Sequence, residues 1–111
     1  MKNGILALSS MLLSVLAMAA PPDGRFLYQD NCASCHGQNG KGGTGPKLAG
    51  NASEWSLTLF ERAVLDGVDN HGKVLNAPMP HWRIIGLNTF QGSKPSKDEI
   101  HAIQYYLHTR K

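Results

Sequence analysis

Cys32-Ala33-Ser34-Cys35-His36 is the stretch that decides the fold. C-x-x-C-H is the attachment signature of c-type haem. The spacing follows from the chemistry. Two thiols one helical turn apart can each add to a vinyl group on one haem edge, giving two thioethers. The next residue then lies under the macrocycle, where an imidazole reaches the iron and ligates it well. Cys32 and Cys35 are therefore the expected thioether residues, and His36 the expected first axial ligand. The motif occurs once, so one haem is expected.

Two other chemistries use paired cysteines. Thiol–disulfide exchange places C-x-x-C at the start of a helix in a βαβ context. The residues before Cys32 read as helix, with no strand pattern ahead of them. Structural zinc needs four ligands, and the chain has no second cysteine pair. Both readings are weaker than haem.

Working outward, Pro21-Pro22-Asp23 marks a helix start with Asp23 as N-cap. The helix runs from Gly24 through Asn31 into the motif, with Gly24 and Tyr28 on one face. A glycine inside a helix costs about 1 kcal/mol relative to alanine. Close approach of another helix would offset that cost.

Further upstream, Met1-Lys2-Asn3 is a short polar start, and Gly4 to Ala20 carries no charge. The stretch ends Ala17-Met18-Ala19-Ala20, which with the charged start describes a secretory signal peptide. A retained anchor helix is the rival reading, but the stretch is at the bottom of the spanning range. Cleavage after Ala19 is expected, leaving residues 20–111 as one exported, periplasmic domain without stable membrane insertion. The whole chain has 111 residues and a net charge of +3. That is one domain at most, too short for a (β/α)₈ barrel of about 250 residues or a doubly wound nucleotide enzyme. The longest basic run is Arg110-Lys111, so a nucleic-acid partner is not expected.

Downstream, Gly37 to Gly50 is a glycine-rich loop containing G-x-G-x-x-G at Gly40, Gly42 and Gly45. The dinucleotide reading of that pattern needs a preceding strand. Without one, the loop reads as a wrap that lets backbone pass close to the macrocycle. Asn51-Ala52-Ser53-Glu54 resembles a capping box, predicting a helix from about Ser53 to Leu65 ended by Gly67. Residues 67–95 are irregular, with room for a helical turn after Pro80. Ser96-Lys97-Asp98-Glu99 is a full capping box, and Ile100, Ile103 and Leu107 share one face of the last helix. No segment alternates at period two. The expected fold is all-α, with three main helices and long loops wrapped around one covalently bound haem. The macrocycle would supply apolar surface that so small a core lacks.

The sixth iron ligand is sought in Ala77-Pro78-Met79-Pro80. Once the leader is removed, Met79 is the only methionine. Prolines on both sides fix where its thioether points, and Met/His ligation raises the reduction potential. The bland alternative is that Met79 fills a core gap; His81 is the main competing ligand. His71, His101 and His108 are expected at the surface. A closed His/Met site exchanges an electron but has no open position for substrate. That separates an electron carrier from a haem enzyme or gas sensor.

These segments, with Thr44-Gly45-Pro46-Lys47-Leu48-Ala49-Gly50 and the closing Ile103-Gln104-Tyr105-Tyr106-Leu107, resemble the class I bacterial c-type cytochromes. The resemblance runs from Asp23 to the C-terminus. It implies Cys32 and Cys35 as thioether residues and His36 and Met79 as axial ligands. It implies that the Pro46 carbonyl meets the second ring nitrogen of His36, orienting it and raising its basicity. It implies that Gly24 and Tyr28 pack against Ile103 and Tyr106; Tyr28 stands where the family often has Phe. Trp55 would either hydrogen-bond a haem propionate or pack in the core. The implied function is a periplasmic one-electron carrier between a redox-protein donor and acceptor. The alternative is a haem c subunit of a larger periplasmic dehydrogenase or reductase. An exposed patch of Phe60, Trp82, Ile84 and Ile85 would favour the alternative. Lys41, Lys47, Lys73 and Arg83 flank the expected haem surroundings. They either steer acidic partners or form an ordinary solvated face.

Overall fold

A computed structural model describes residues 21–76, 78–88 and 94–111. The expected leader, residues 1–19, and its cleavage site lie outside the described residues.

Asp23 starts the first helix as its spacing predicts. Its carboxylate accepts the Phe26 N–H at 3.1 Å, and α1 runs Gly24–Asn31. The helix does not continue unbroken into the cysteine motif. Cys32 leaves helical geometry at φ −121°, and Ala33–His36 forms a separate single turn, α2. The Cys32 carbonyl accepts the N–H groups of both Cys35, at 3.2 Å, and His36, at 2.9 Å.

The third helix begins later than the sequence predicts. Ala52–Glu54 is a 3₁₀ turn, Trp55 is extended, and α3 runs Leu57–Asp66. The side chain of Asn51 caps nothing there. Ser56 is the cap instead, accepting the Leu59 N–H at 3.3 Å. The reason is competition for backbone partners. The buried Gln104 amide donates to the carbonyls of Ala52, at 3.4 Å, and Trp55, at 2.8 Å. The Ser53 hydroxyl accepts the Gly50 N–H at 2.8 Å. These bonds favour the segment as a turn ahead of α3 over a continuous helix. Gly67 ends α3 in the left-handed region at φ 68°, as expected.

A short helix, α4 (Trp82–Ile85), follows Pro80. The last helix, α5 (Lys97–His108), has both halves of its capping box: Ser96 accepts the Glu99 N–H at 3.1 Å, and Glu99 accepts the Ser96 N–H at 2.8 Å. Among the described residues the only β pairing is one isolated bridge, Val68 to Val74. None of the described helices is long and apolar enough to cross a membrane.

α1 and α5 cross at Gly24. A Cβ there would run into the Ala102 carbonyl of α5, so only glycine permits the approach. One turn along, the Tyr28 and Tyr106 rings meet edge to face, with centroids 5.5 Å apart. Leu27, Ile100, Ile103 and Leu107 complete this seam, and Phe60, Val64 and Leu65 of α3 pack onto the same core. At the C-terminus, Glu54 accepts hydrogen bonds from His108 Nδ1, at 2.8 Å, and from Lys111 Nζ. His101 is exposed as expected; His108 is exposed but engaged.

Replacing Gly24 with alanine adds about 1 kcal/mol of helix propensity, yet overpacks the crossing by about 1–3 kcal/mol. Gly24→Ala should therefore lower the urea midpoint; an unchanged or raised midpoint would mean the helices are free to part. Lys111 and then His108 hold the Glu54 carboxyl below its ordinary value of 4.5. The ionised group thus favours the folded state above pH 4.5, and that contribution fades as pH falls from there through the lower folded value. Glu54→Gln should lower the melting temperature at neutral pH and converge with the parent in acid.

Candidate haem site

α2 exposes Cys35, half-buries Cys32 and buries His36. The two sulfurs are not joined to each other as a disulfide. Burial, and then the neighbouring Cys35, push the Cys32 thiol up to about 12. No three His, Cys, Asp or Glu side chains converge as metal ligands among the described residues.

His36 Nδ1 lies 2.7 Å from the Pro46 carbonyl. A carbonyl can only accept, so Nδ1 carries the proton and Nε2 keeps its lone pair. That is the tautomer a metal-ligating imidazole needs. The loop reaches His36 because it is stitched to α2 by its backbone. Gly42 N–H donates to the His36 carbonyl and Gly45 N–H to the Cys35 carbonyl, each at 2.7 Å. A Cβ on Gly45 would stand 3.0 Å from Cε1 and 3.1 Å from Nδ1 of the ring, closer than side chains normally pack. Glycine therefore lets the backbone before Pro46 lie against the imidazole.

The two tyrosines of the helix crossing hold the start of this loop. Tyr28 Oη donates to the Gly37 carbonyl, and Tyr106 Oη donates to Asn39 Oδ1 at 3.2 Å. Burial pushes the Tyr28 phenol up to about 12, so it stays a neutral donor at any ordinary pH.

Met79 is half-buried in a turn, its N–H donating to the Asn76 carbonyl at 3.1 Å. Met79, Pro80, His81, Ile84 and Ile85 line one open cleft. His81 also turns toward α3: its Nε2 and Cδ2 come within 2.6 and 2.8 Å of where a Gly67 Cβ would stand. Trp55 packs against the core, and its carbonyl accepts from Gln104. Of the apolar patch expected from the sequence, Ile84 (82% exposed) and Ile85 (62%) are at the surface, whereas Phe60 is buried (4%). Arg83 is not a free surface cation. It grips Asp66 through Nε at 2.7 Å and a terminal nitrogen at 2.9 Å. Lys41 likewise donates to the Arg110 carbonyl at 3.2 Å.

The residues present fit a haem c. Two unpaired thiols share one helical turn, an imidazole has its outer nitrogen engaged by a carbonyl, and a thioether stands beside exposed isoleucines. The sequence alone did not single out Gly45 or Gln104. Gly45 could have been found from its place before Pro46. Gln104 could have been found as the one polar side chain at i+4 from Ile100 on the inward face of α5.

Among curated proteins, none matches this chain. Among solved structures, the c-type cytochrome XoxG from Methylobacterium extorquens AM1 is 24% identical, with a TM-score of 0.54 over 78% of this chain and 47% of that one. Cytochrome cL from Hyphomicrobium denitrificans is 20% identical, with a TM-score of 0.50 over 78% of this chain and 45% of that one. The chain spans about half the length of these structures, and at such identities the likeness shows the fold. The profile of the cytochrome c family matches residues 22–111, nearly all of the described chain. The protein therefore belongs to the cytochrome c family, as a class I c-type cytochrome whose cofactor is covalent haem c.

Proposed function

We propose that this chain is a periplasmic one-electron carrier, held ready by His36 and Met79 as axial ligands and by thioethers at Cys32 and Cys35. The observation that carries the reading is the 2.7 Å contact between His36 Nδ1 and the Pro46 carbonyl. It commits one ring nitrogen to a carbonyl acceptor and leaves the other to offer its lone pair. When bound, haem supplies a one-electron couple at iron. The polypeptide supplies the rest. Cys32 and Cys35 would hold the cofactor covalently, so that it is not lost between encounters. Pro46 holds the His36 ring in one tautomer and one orientation. Met79 would hold the position where an outside ligand could enter, and so keep the site from substrate chemistry. Trp55 is the candidate partner for a propionate, with core packing as its other role. The leader would direct export and be removed after Ala19.

A second reading makes the chain a tightly held subunit of a larger dehydrogenase or reductase. The exposure of Ile84 and Ile85 next to Met79 favours it, because adjacent apolar side chains at a surface mark interfaces.

Met79→Ala should open the sixth position. The reduced variant is expected to bind carbon monoxide and to show a lower reduction potential, while the parent does neither. A parent that binds carbon monoxide as readily as the variant would remove Met79 from the iron. Native size exclusion of a gentle extract, followed by haem absorbance, separates the two readings. A coloured peak near one small domain is expected for the free carrier; elution with a much larger protein would make the chain a subunit.

A further inference from the structure

The turn carrying Met79 is fastened to the C-terminal end of α3 on both of its sides. Before it, Leu75 N–H donates to the Gly67 carbonyl at 2.7 Å. After it, the His81 ring lies over Gly67. Arg83 closes the arrangement with a two-pronged grip on both oxygens of Asp66. Asp66 is the last residue of α3, where a carboxylate opposes the helix dipole. Taken alone it would weaken that helix end, so its benefit must come from the guanidinium. A planar fork on a carboxylate also fixes direction as well as distance, which lysine could not do.

We propose that Arg83, through Asp66, is a positioning residue that keeps Met79 seated as the sixth ligand. The inference rests on the reading of Met79 given above. Met79 itself is bracketed by prolines, and among the described residues its local tie is the hydrogen bond of its N–H to the Asn76 carbonyl. Whether it stays in place depends on what holds the chain on either side. The Leu75 and Gly67 contacts are backbone and packing contacts that persist in most substitutions. The Asp66–Arg83 pair is the fastening made by side chains alone.

The test is titration of the oxidised holoprotein with imidazole, followed by haem absorbance. Arg83→Gln and Asp66→Asn should each bind imidazole more tightly than the parent, by up to about fivefold, the upper end for one well-formed exposed ion pair. The exchanged pair, Asp66→Arg with Arg83→Asp, should return toward the parent. Raising salt to about 0.5 M should narrow the gap between parent and variants. Amide exchange supplies a second readout: the Met79 N–H should exchange faster in Arg83→Gln, while Ile103 in the α1–α5 seam should not. Met79→Ala serves as the open-site reference. Variants that match the parent, while Met79→Ala binds far more tightly, would overturn the role of Arg83. A parent that already binds like Met79→Ala would instead overturn Met79 as ligand, and the anchoring proposal with it. Equal acceleration of exchange at Met79 and Ile103 would reduce the effect to general loosening and also overturn it.

Discussion

The approach of α1 to α5 at Gly24 is the constraint on which the rest depends. Without a side chain at that position, the two helices come close enough for Tyr28 and Tyr106 to meet edge to face. Their hydroxyls then emerge on one side and take hold of Gly37 and Asn39, the first residues after the cysteine motif. The loop so pinned returns to α2 through Gly42 and Gly45 and delivers the Pro46 carbonyl to His36. A backbone collision avoided at one helix crossing is thus transmitted, bond by bond, to the tautomer of the proposed axial ligand. The apolar seam contributes the driving force, and the polar contacts select one arrangement of it.

Most of this architecture could be read from local sequence. Asp23 and the Ser96–Glu99 box place two helix starts because capping chemistry acts within four residues. Gly67 ends α3 for an equally local reason. The cysteine motif declares its chemistry because thioether geometry demands that spacing. The start of α3 was misread because its determinant is remote. Gln104, on the last helix, takes the carbonyls that a helix beginning at Ser53 would have used. No inspection of Asn51 to Glu54 could reveal that. The partner of Arg83 was illegible for the same reason: Asp66 lies seventeen positions away, and of the two roles the sequence left open for Arg83 the pair fits the solvated face better than a free steering charge.

The charged groups divide accordingly. Glu54, His108 and Lys111 secure the end of the chain, and Asp66 with Arg83 secures the turn after Met79. The Asp66–Arg83 and Glu54–Lys111 pairs each cancel within themselves, so the net positive charge of the sequence is carried by other residues.

The orientation of His36 is set by a main-chain oxygen in a loop of glycines. A carbonyl has the same chemistry whichever residue bears it. Selection at that point acts on the path of the backbone and only weakly on the identity of side chains. Loop residues facing outward can drift, and a lineage can remodel the surface that meets its redox partners while the basicity of its imidazole stays constant. Gly37, Gly43 and Gly45 are exceptions, since at each it is the absence of a side chain that leaves room for the path.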